Sequence, residues 1–385
     1  MKLDNKTVLI AAQYAAKYEG NFVKSLKALE AKLAERFGTR CIYLFPVATS
    51  HVAWINDFRT GHQCRFADVS DQTAITDIIR EERPDIIYTH FEGYDIPTYN
   101  SLKKLGSVAQ PIWHMHDALG YVSNPLKALY QKWGYYKHYG RPFVNAAIHK
   151  FLSYAICGNR VKAPGIIYVC RHEQNHIKEF RLGIKAHDEV IPNGIDLARI
   201  HFPKLPLKRH RPFTFVTLGG RNIQKRNDVC LRATEILSKL GGVKLLITNG
   251  VGLVDLIDST YHGYMPEWLE VIPQNDDICA VFENADCFIS SSDHETFSYA
   301  VAEAAVYGLP VIQSDIDGTR WNNDNPSVLT FNAGNPQELA ICMRRMMEKD
   351  PMTLTADCAV TRDRIISRYS LDVWCESIIM FLQTL

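Results

Sequence analysis

Two acidic residues in the C-terminal half have types and spacing that could bind a polar ligand. Glu295 and Glu303 are eight residues apart, which on a helix corresponds to a rise of roughly 12 Å. That is too long for the carboxyl pair of a glycosidase, which needs about 5–9.5 Å, but it suits holding two ends of one extended ligand. A plain interpretation is also open, in which Glu295 is a first-turn acid that complements the helix dipole and Glu303 is a solvated helix residue.

A second group of residues has the types that bind phosphate. The segment GGRNIQK, residues 219–225, follows a predicted strand over 213–218 and precedes a predicted helix that ends at Leu240. Glycines at a strand-to-helix turn let a phosphate approach the backbone, and Arg221 and Lys225 would bring positive charge to it. Arg226 is an alternative to Lys225 in this role.

Two histidines at the end of another predicted strand could bind a metal ion. His114 and His116 are alternate residues beside a predicted strand over 111–115, so their side chains point the same way. A zinc site needs at least a third protein ligand. The sequence offers no evident third ligand, so we predict no metal site here.

Strands and helices in alternation must position these residues. Around the glutamates, an apolar run over 287–290 is followed by turn and cap residues over 291–296 and by a predicted helix over 297–307. Gly308 ends this helix, and a buried strand begins at residues 310–312, which completes a βαβ unit. Ligands bind outside the carboxyl ends of the strands in open parallel sheets, where helix N-termini favour anions.

The same alternation extends along the chain. A buried strand over 8–12 leads to a helix over 21–37, with Asn21 as its cap and Gly38 as its stop. Further strands and helices alternate as far as the C-terminus. This order predicts an α/β protein with doubly wound parallel sheets.

The acidic motif resembles a known family. Glu295-x7-Glu303 followed by Gly308-x-Pro310-Val311-Ile312 resembles the signature of retaining glycosyltransferases of family four, also described as glycosyl transferases group 1. The resemblance implies the GT-B fold, in which two Rossmann-like domains face each other across a cleft. It also implies that Glu295 contacts the donor sugar, that Glu303 contacts the ribose, and that the amides of three residues meet sugar and phosphate: Thr296, Phe297 and Ser298. The family more often has Glu-Gly-Phe-Gly here, so the donor sugar stays open.

Further site residues follow from the same resemblance. Gly220, Arg221 and Lys225 match an element that holds the donor diphosphate, and His116, positioned by Asp117, matches a histidine that faces the donor sugar. Gly20 lies where the family carries glycines that approach the phosphate and the acceptor, although a plain turn explains it equally well. Because the resemblance assigns the diphosphate to Arg221 and Lys225, we do not interpret Asp315-Ile316-Asp317 as a metal motif.

The resemblance also sets the expected domain boundaries. The run VIPNGID, residues 190–196, resembles the end of the family's N-terminal domain, and the proline-rich, basic segment over 202–212 is interpreted as a linker. We therefore predict a first domain over 1–203, a donor-side domain over 204–368 and a terminal helix over 369–385 that returns to the first domain.

Composition restricts the partners and the compartment. The 385 residues carry a net charge of +1 and are 46% hydrophobic, which allows two cores and gives no bias towards nucleic acid. No long apolar segment or cleavage pattern is present, so we expect a cytoplasmic protein, or one at the inner face of the membrane. The basic and aromatic segment over 126–150 suits peripheral membrane contact, an acceptor wall, a helix pair or an oligomer contact.

The sequence thus predicts an enzyme that moves a hexose-type unit from a nucleotide-sugar to a hydroxyl of a carbohydrate or lipid-linked acceptor, with retention of configuration. No cofactor or metal is expected. Two alternatives stay open: a non-catalytic GT-B subunit that binds sugar or stabilises a partner glycosyltransferase, and another GT-B enzyme such as an epimerase or phosphorylase.

Overall fold

The chain divides into two α/β units. The computed structural model describes residues 2–91, 93–116, 165–179, 187–203, 205, 209–219, 223–250, 252–275 and 277–385. The first unit comprises Met1–Gly194 and Leu371–Leu385, and the second unit comprises Ile195–Ser370. The division falls after Gly194, whereas the sequence analysis placed the domain boundary after residue 203.

The first unit is built on a parallel sheet. Its described strands are β1 (Thr7–Ala12), β2 (Arg40–Phe45), β3 (Gln63–Phe66), β4 (Ile86–His90), β5 (Gln110–Met115), β6 (Gly165–Tyr168) and β7 (His187–Val190). They pair in the order β3-β2-β1-β4-β5-β6-β7. From Val8 to Ala12, β1 is fully buried because helices cover both faces of a doubly wound sheet.

Helices pack against this sheet. Those that the structure describes in the first unit are α1 (Gly20–Phe37), α2 (Trp54–Gly61), α3 (Gln72–Glu82), α4 (Asp95–Leu105), α5 (Arg171–Glu179) and the C-terminal helix Leu371–Thr384, together with a 3-10 turn at Val47–His51. The C-terminal helix places Trp374 and Ile378 in the same core as β1. Its Glu376 also accepts a hydrogen bond of 2.6 Å from Arg36 on α1.

The ends of α1 follow local chemistry. Gly38 has the left-handed conformation, with φ of 61°, and ends the helix as predicted. The predicted cap at Asn21 is wrong, because the helix begins one residue earlier, at Gly20.

The second unit repeats the architecture. Its described strands are β8 (Phe213–Thr217), β9 (Val243–Thr248), β10 (Leu269–Ile272), β11 (Cys287–Ser290), β12 (Val311–Ser314) and β13 (Val328–Phe331). They form a parallel sheet in the order β10-β9-β8-β11-β12-β13. The helices are α6 (Asn227–Ser238), α7 (Leu253–Tyr261), α8 (Ile278–Phe282), α9 (Tyr299–Tyr307), α10 (Pro336–Glu348) and α11 (Pro351–Tyr369), and 3-10 turns lie at Leu197–Arg199, Ile223–Lys225 and Arg320–Asn322. Two doubly wound parallel sheets confirm the predicted fold class.

The helix that carries Glu303 is shorter than predicted. It was expected over 297–307, but α9 begins at Tyr299 because Ser298 has the left-handed conformation, with φ of 58°. A residue in that conformation cannot continue a right-handed helix. Residues 291–298 are therefore a loop, and Gly308 ends the helix with φ of 109°, as predicted.

Two general features concern the environment of the chain. Among the described residues, no helix combines the length and hydropathy needed to cross a bilayer. Eight of the described cysteines are free thiols: Cys41, Cys64, Cys230, Cys279, Cys287, Cys342, Cys358 and Cys375.

A charged network joins α3 to the edge of the first sheet. The carboxylate of Glu82, which is 5% exposed, faces Arg40 on β2 and Arg65 on β3. It accepts hydrogen bonds of 2.8 Å from Arg40 and 2.7 Å from Arg65. Burial by itself would raise the pKa of Glu82, but the hydrogen bonds from the two arginines outweigh burial and lower it.

We expect Glu82→Gln to lower the free energy of unfolding by roughly 1–2 kcal/mol at neutral pH, because the arginines lose a charged partner and are themselves partly exposed. Since the folded-state pKa of Glu82 is lowered, its contribution is present above the unfolded pKa and is lost as the pH falls through the folded value. Urea denaturation at pH 7 and pH 3 measures the loss, and the difference from wild type should be smaller at pH 3 than at pH 7. Glu81→Gln, at a side chain 60% exposed, is the control; equal losses in both variants at pH 7 would contradict the network.

Candidate active site

The candidate site in the second unit is built on the loop 291–298, at the carboxyl end of β11. Strand β11 pairs with β8, so the loop lies beside the segment that follows β8. The hydroxyl of Ser291 donates to the carbonyl oxygens of Lys225 at 2.7 Å and Arg226 at 3.0 Å. The amide of Asp293 donates to the carbonyl of Gln224 at 2.7 Å. These hydrogen bonds join the two segments that the sequence predicts to bind the donor.

Lys225 and Glu295 form an ion pair at this junction. The Nζ of Lys225 lies 2.5 Å from Oε1 of Glu295, and the hydroxyl of Ser292 donates to the same oxygen at 2.8 Å. Glu295 lies in the loop before α9, so the interpretation of Glu295 as a first-turn acid is wrong. For the same reason, helix rise does not set its distance from Glu303.

Glu303 is a buried residue of α9. It is 8% exposed, so the interpretation of Glu303 as a solvated helix residue is wrong. Oε1 of Glu303 lies 3.6 Å from Nη1 of Arg199. Arg199 could not be identified from the sequence, because nothing in its local sequence relates it to a helix about 100 residues further along the chain.

Arg226 has a different environment from Lys225. Its guanidinium contacts Asp228 at 2.9 Å and Asp293 at 2.8 Å. The hydrogen bond to Asp228 raises the pKa of Arg226 most, and the hydrogen bond to Asp293 raises it further. Arg226 therefore fixes the turn before α6. Lys225 is the cation next to Glu295, which argues against Arg226 as its substitute.

The loop is also held from its other side. The indole Nε1 of Trp321 donates to the carbonyl of Phe297 at 2.7 Å, and the two rings stack with centroids 4.9 Å apart. Gly318 lies against the loop backbone so closely that a Cβ there would come within 1.7 Å of the Glu295 carbonyl oxygen. These contacts fix the backbone of Thr296, Phe297 and Ser298 ahead of α9, where Ser298 makes no side-chain cap hydrogen bond.

Some predicted features lie outside the described residues: Gly220, Arg221, Asp117 and the segment 126–150. The Asp315-Ile316-Asp317 run is described. There Arg320 binds the carboxylates of both Asp315, at 2.8 Å, and Asp317, at 2.6 Å.

His116 and Gly20 lie in the first unit, close to one helix start. The ring of Phe22 on α1 contacts the ring of His116, with centroids 5.4 Å apart. Gly20 begins α1 with φ of 65°, and a Cβ there would lie 2.6 Å from the hydroxyl of Tyr14. That hydroxyl donates to the carbonyl of Glu19 at 3.1 Å. The left-handed backbone angle at residue 20 favours glycine.

His116 belongs to a cluster of three histidines, not two. Parallel pairing of β4 and β5 places His90 directly beside His114. Nδ1 of His90 lies 3.0 Å from Nε2 of His116. His90 is a candidate third ligand, so the expectation that none is evident is wrong. The sequence did not point to His90 because it lies on a different strand. Burial lowers the pKa of His116 to about 3, against a hydrogen bond with Asn193 that raises it, and burial also lowers the pKa of His90 and of His114.

Comparisons with known families identify the class of protein. Residues 51–199 match the model of Glycosyltransferase Family 4, and residues 212–349 match the model of Glycosyl transferases group 1. The chain is a GT-B glycosyltransferase of this type. No curated protein sequence matches it significantly.

Solved structures support the same fold. Anabaena Alr3699/HepE, solved in complex with UDP, is 14% identical and has a TM-score of 0.74 over 98% of this chain and 100% of its own. Sucrose-phosphate synthase from Thermosynechococcus elongatus is 14% identical with a TM-score of 0.75, over 98% of both chains. The lipopolysaccharide outer core galactosyltransferase WaaB is 12% identical with a TM-score of 0.67, over 98% of this chain and 99% of its own. At these identities the likeness establishes the fold alone.

Because a Cβ at residue 318 would overlap the Glu295 carbonyl, we expect Gly318→Ala to displace the loop 291–298 and to lower the free energy of unfolding by about 1–3 kcal/mol. Gly61→Ala is the control, since a Cβ there meets nothing within 4 Å. Chemical denaturation of both variants measures the difference. If the two variants were equally stable, the close approach at Gly318 would not be a constraint.

Proposed function

We propose that the chain transfers a hexose-type sugar from a nucleotide-sugar donor to a hydroxyl acceptor, with retention of anomeric configuration. The observation that carries this proposal is the Lys225–Glu295 ion pair, 2.5 Å across, close to the start of α9. The cation and the helix N-terminus can bind the diphosphate, and the acid can accept hydrogen bonds from the sugar hydroxyls. Retention follows from the family resemblance, and we assign no covalent nucleophile.

The difficult step is departure of the nucleoside diphosphate, on which negative charge develops. Lys225 supplies a fixed positive charge, and the first N–H groups of α9 lack intrahelical acceptors. These groups can stabilise the leaving diphosphate without rearrangement at the moment of reaction. We propose Arg221 as a second cation and Gly220 as the point of closest backbone approach. In this reaction no metal is required at the diphosphate.

Donor binding replaces the ion pair by two new interactions. The diphosphate takes Lys225, and the carboxylate of Glu295 then accepts hydrogen bonds from sugar hydroxyls. Glu303 accepts hydrogen bonds from the ribose hydroxyls. Arg199, 3.6 Å from Glu303, orients that carboxylate. We propose that His116 of the first unit contacts the donor sugar. We propose that Gly20 of the same unit lets the backbone approach the phosphate and the acceptor.

The choice of donor for a first test comes from a structural neighbour. Anabaena Alr3699/HepE has been solved with UDP-glucose, so UDP-glucose is the first donor to assay. The acceptor is proposed to be a hydroxyl of a polysaccharide, a glycolipid or a similar glycoconjugate, with peripheral membrane contact through 126–150.

The purified chain alone should release nucleotide from its nucleotide-sugar donor, slowly by hydrolysis and faster with an acceptor. Nucleotide release is measured across a panel of common nucleotide-sugars. Release only after a partner protein is added would favour the non-catalytic subunit, and an isomerised nucleotide-sugar as product would favour an epimerase.

We expect Lys225→Ala to lower kcat/KM by about 10²–10³-fold, because the leaving diphosphate loses a preorganised charge. Lys239→Ala, at an exposed position beyond the end of α6, is the matched control and should retain wild-type kinetics. Steady-state nucleotide release measures both. Wild-type turnover in Lys225→Ala would refute the role of Lys225.

Glu303→Ala should remove the preference for a ribose over a deoxyribose nucleotide. In wild type we expect UDP to bind roughly tenfold more tightly than dUDP, since a hydrogen bond to a charged group contributes about 1.5–3 kcal/mol and part of that is offset by solvent. Isothermal titration calorimetry with both nucleotides measures the ratio, and Glu235→Ala on α6 is the control. A ratio unchanged in Glu303→Ala would exclude Glu303 as the ribose ligand.

A further inference from the structure

The cluster of His90, His114 and His116 in the first unit has the composition of a transition-metal site. One ring nitrogen from each of the three lies within 4.8 Å of the other two. The cause is sheet register: His90 on β4 is paired with His114 on β5, and His116 follows His114 by two residues, so the three rings reach the same side of the sheet.

Two of the three histidines have a buried nitrogen with no hydrogen-bond partner among the described residues. His90 is 0% and His114 is 1% exposed. The Nε2 atoms of both have no hydrogen-bond partner among the described residues. A buried polar nitrogen without a partner is costly, and a cation bound to Nε2 of His114 would remove that cost at His114.

The other nitrogens are held in the way that metal ligands usually are. The hydroxyl of Tyr88 lies 2.6 Å from Nδ1 of His114, and Asn193 hydrogen-bonds the ring of His116. Such outer contacts fix the tautomer and orientation of a ligating imidazole.

We propose that His90, His114 and His116 bind one divalent transition-metal cation of the zinc class. Three imidazoles with a fourth position open to water or an oxygen ligand are a known zinc arrangement. Zinc–nitrogen distances of about 2.0–2.1 Å place ligand nitrogens roughly 3.3 Å apart, and the 3.0 Å between His90 and His116 is already close to this. The His114 ring, stacked on His116 with centroids 4.2 Å apart, has to turn towards the pair.

The surroundings of the cluster define how a cation reaches it. Phe22 contacts His90 and His116, and Phe91 stacks on His116 at 4.6 Å. These rings wall the cluster with apolar surface, which strengthens binding by excluding water. His116 is only partly buried, so the cation enters from its side.

One consequence rests on the proposed function. His116 cannot contact a donor sugar and a metal through the same nitrogen, so metal loading should lower nucleotide release at least tenfold. Metal binding itself is independent of any activity. If the chain releases no nucleotide with any donor, the proposed function fails, whereas the binding measurements below still decide the metal site.

The test uses the full chain after treatment with a chelator. Co²⁺ titration followed by visible absorption, and Zn²⁺ titration by calorimetry, should each give one equivalent bound, with an intense Co²⁺ absorption typical of a four-coordinate site. His90→Gln and His114→Gln should each weaken binding by about 10–100-fold. His51→Gln, at an exposed histidine of the same unit, should bind as wild type does.

A variant at a buried histidine can fail to fold, so a measurement on the wild-type chain accompanies the variants. X-ray absorption of the zinc-loaded protein should give three imidazole ligands at about 2.0 Å. Absence of stoichiometric binding, unchanged binding in both folded variants, or a ligand set with fewer than three imidazoles or with thiolate would overturn the proposal.

Discussion

The candidate donor site depends on the ion pair between Lys225 and Glu295. The two residues follow neighbouring strands, β8 and β11, whose carboxyl ends meet at the same edge of a parallel sheet. The pair holds the two loops together and keeps both charges compensated without a ligand. In the proposed function, a sugar diphosphate replaces this pair, because its anion binds the lysine and its hydroxyls donate hydrogen bonds to the glutamate.

Further contacts hold the loops around this pair in place. Ser291 fastens the loop to the turn before α6, Trp321 fastens the carbonyl of Phe297, and Gly318 allows the backbones to touch. The guanidinium of Arg226 is paired with the carboxylates of Asp228 and Asp293. A loop held in this way keeps its polar groups preorganised. Preorganised groups contribute most to charge stabilisation, because they need not move as the reaction proceeds.

The first unit shows the opposite use of polar residues. Three imidazoles cluster at the ends of β4 and β5, and two of them, those of His90 and His116, contact Phe22. Burial favours the neutral form of all three. Neutral, buried imidazoles serve as hydrogen-bonding groups or metal ligands, but not as fixed charges. Each unit therefore offers a different chemistry at the carboxyl edge of the same type of sheet.

Features that depend on neighbours along the chain could be predicted from the sequence. Alternating apolar runs and amphipathic segments gave the doubly wound sheets, and Gly38 and Gly308 ended helices because only glycine adopts the left-handed conformation without cost. The glutamates and Lys225 were identified from their motifs. Three other features became visible in the folded chain: Glu295 lies outside α9, Arg199 faces Glu303, and His90 lies beside His114. Those contacts arise from sheet register and from packing between distant segments, and local periodicity carries no information about either.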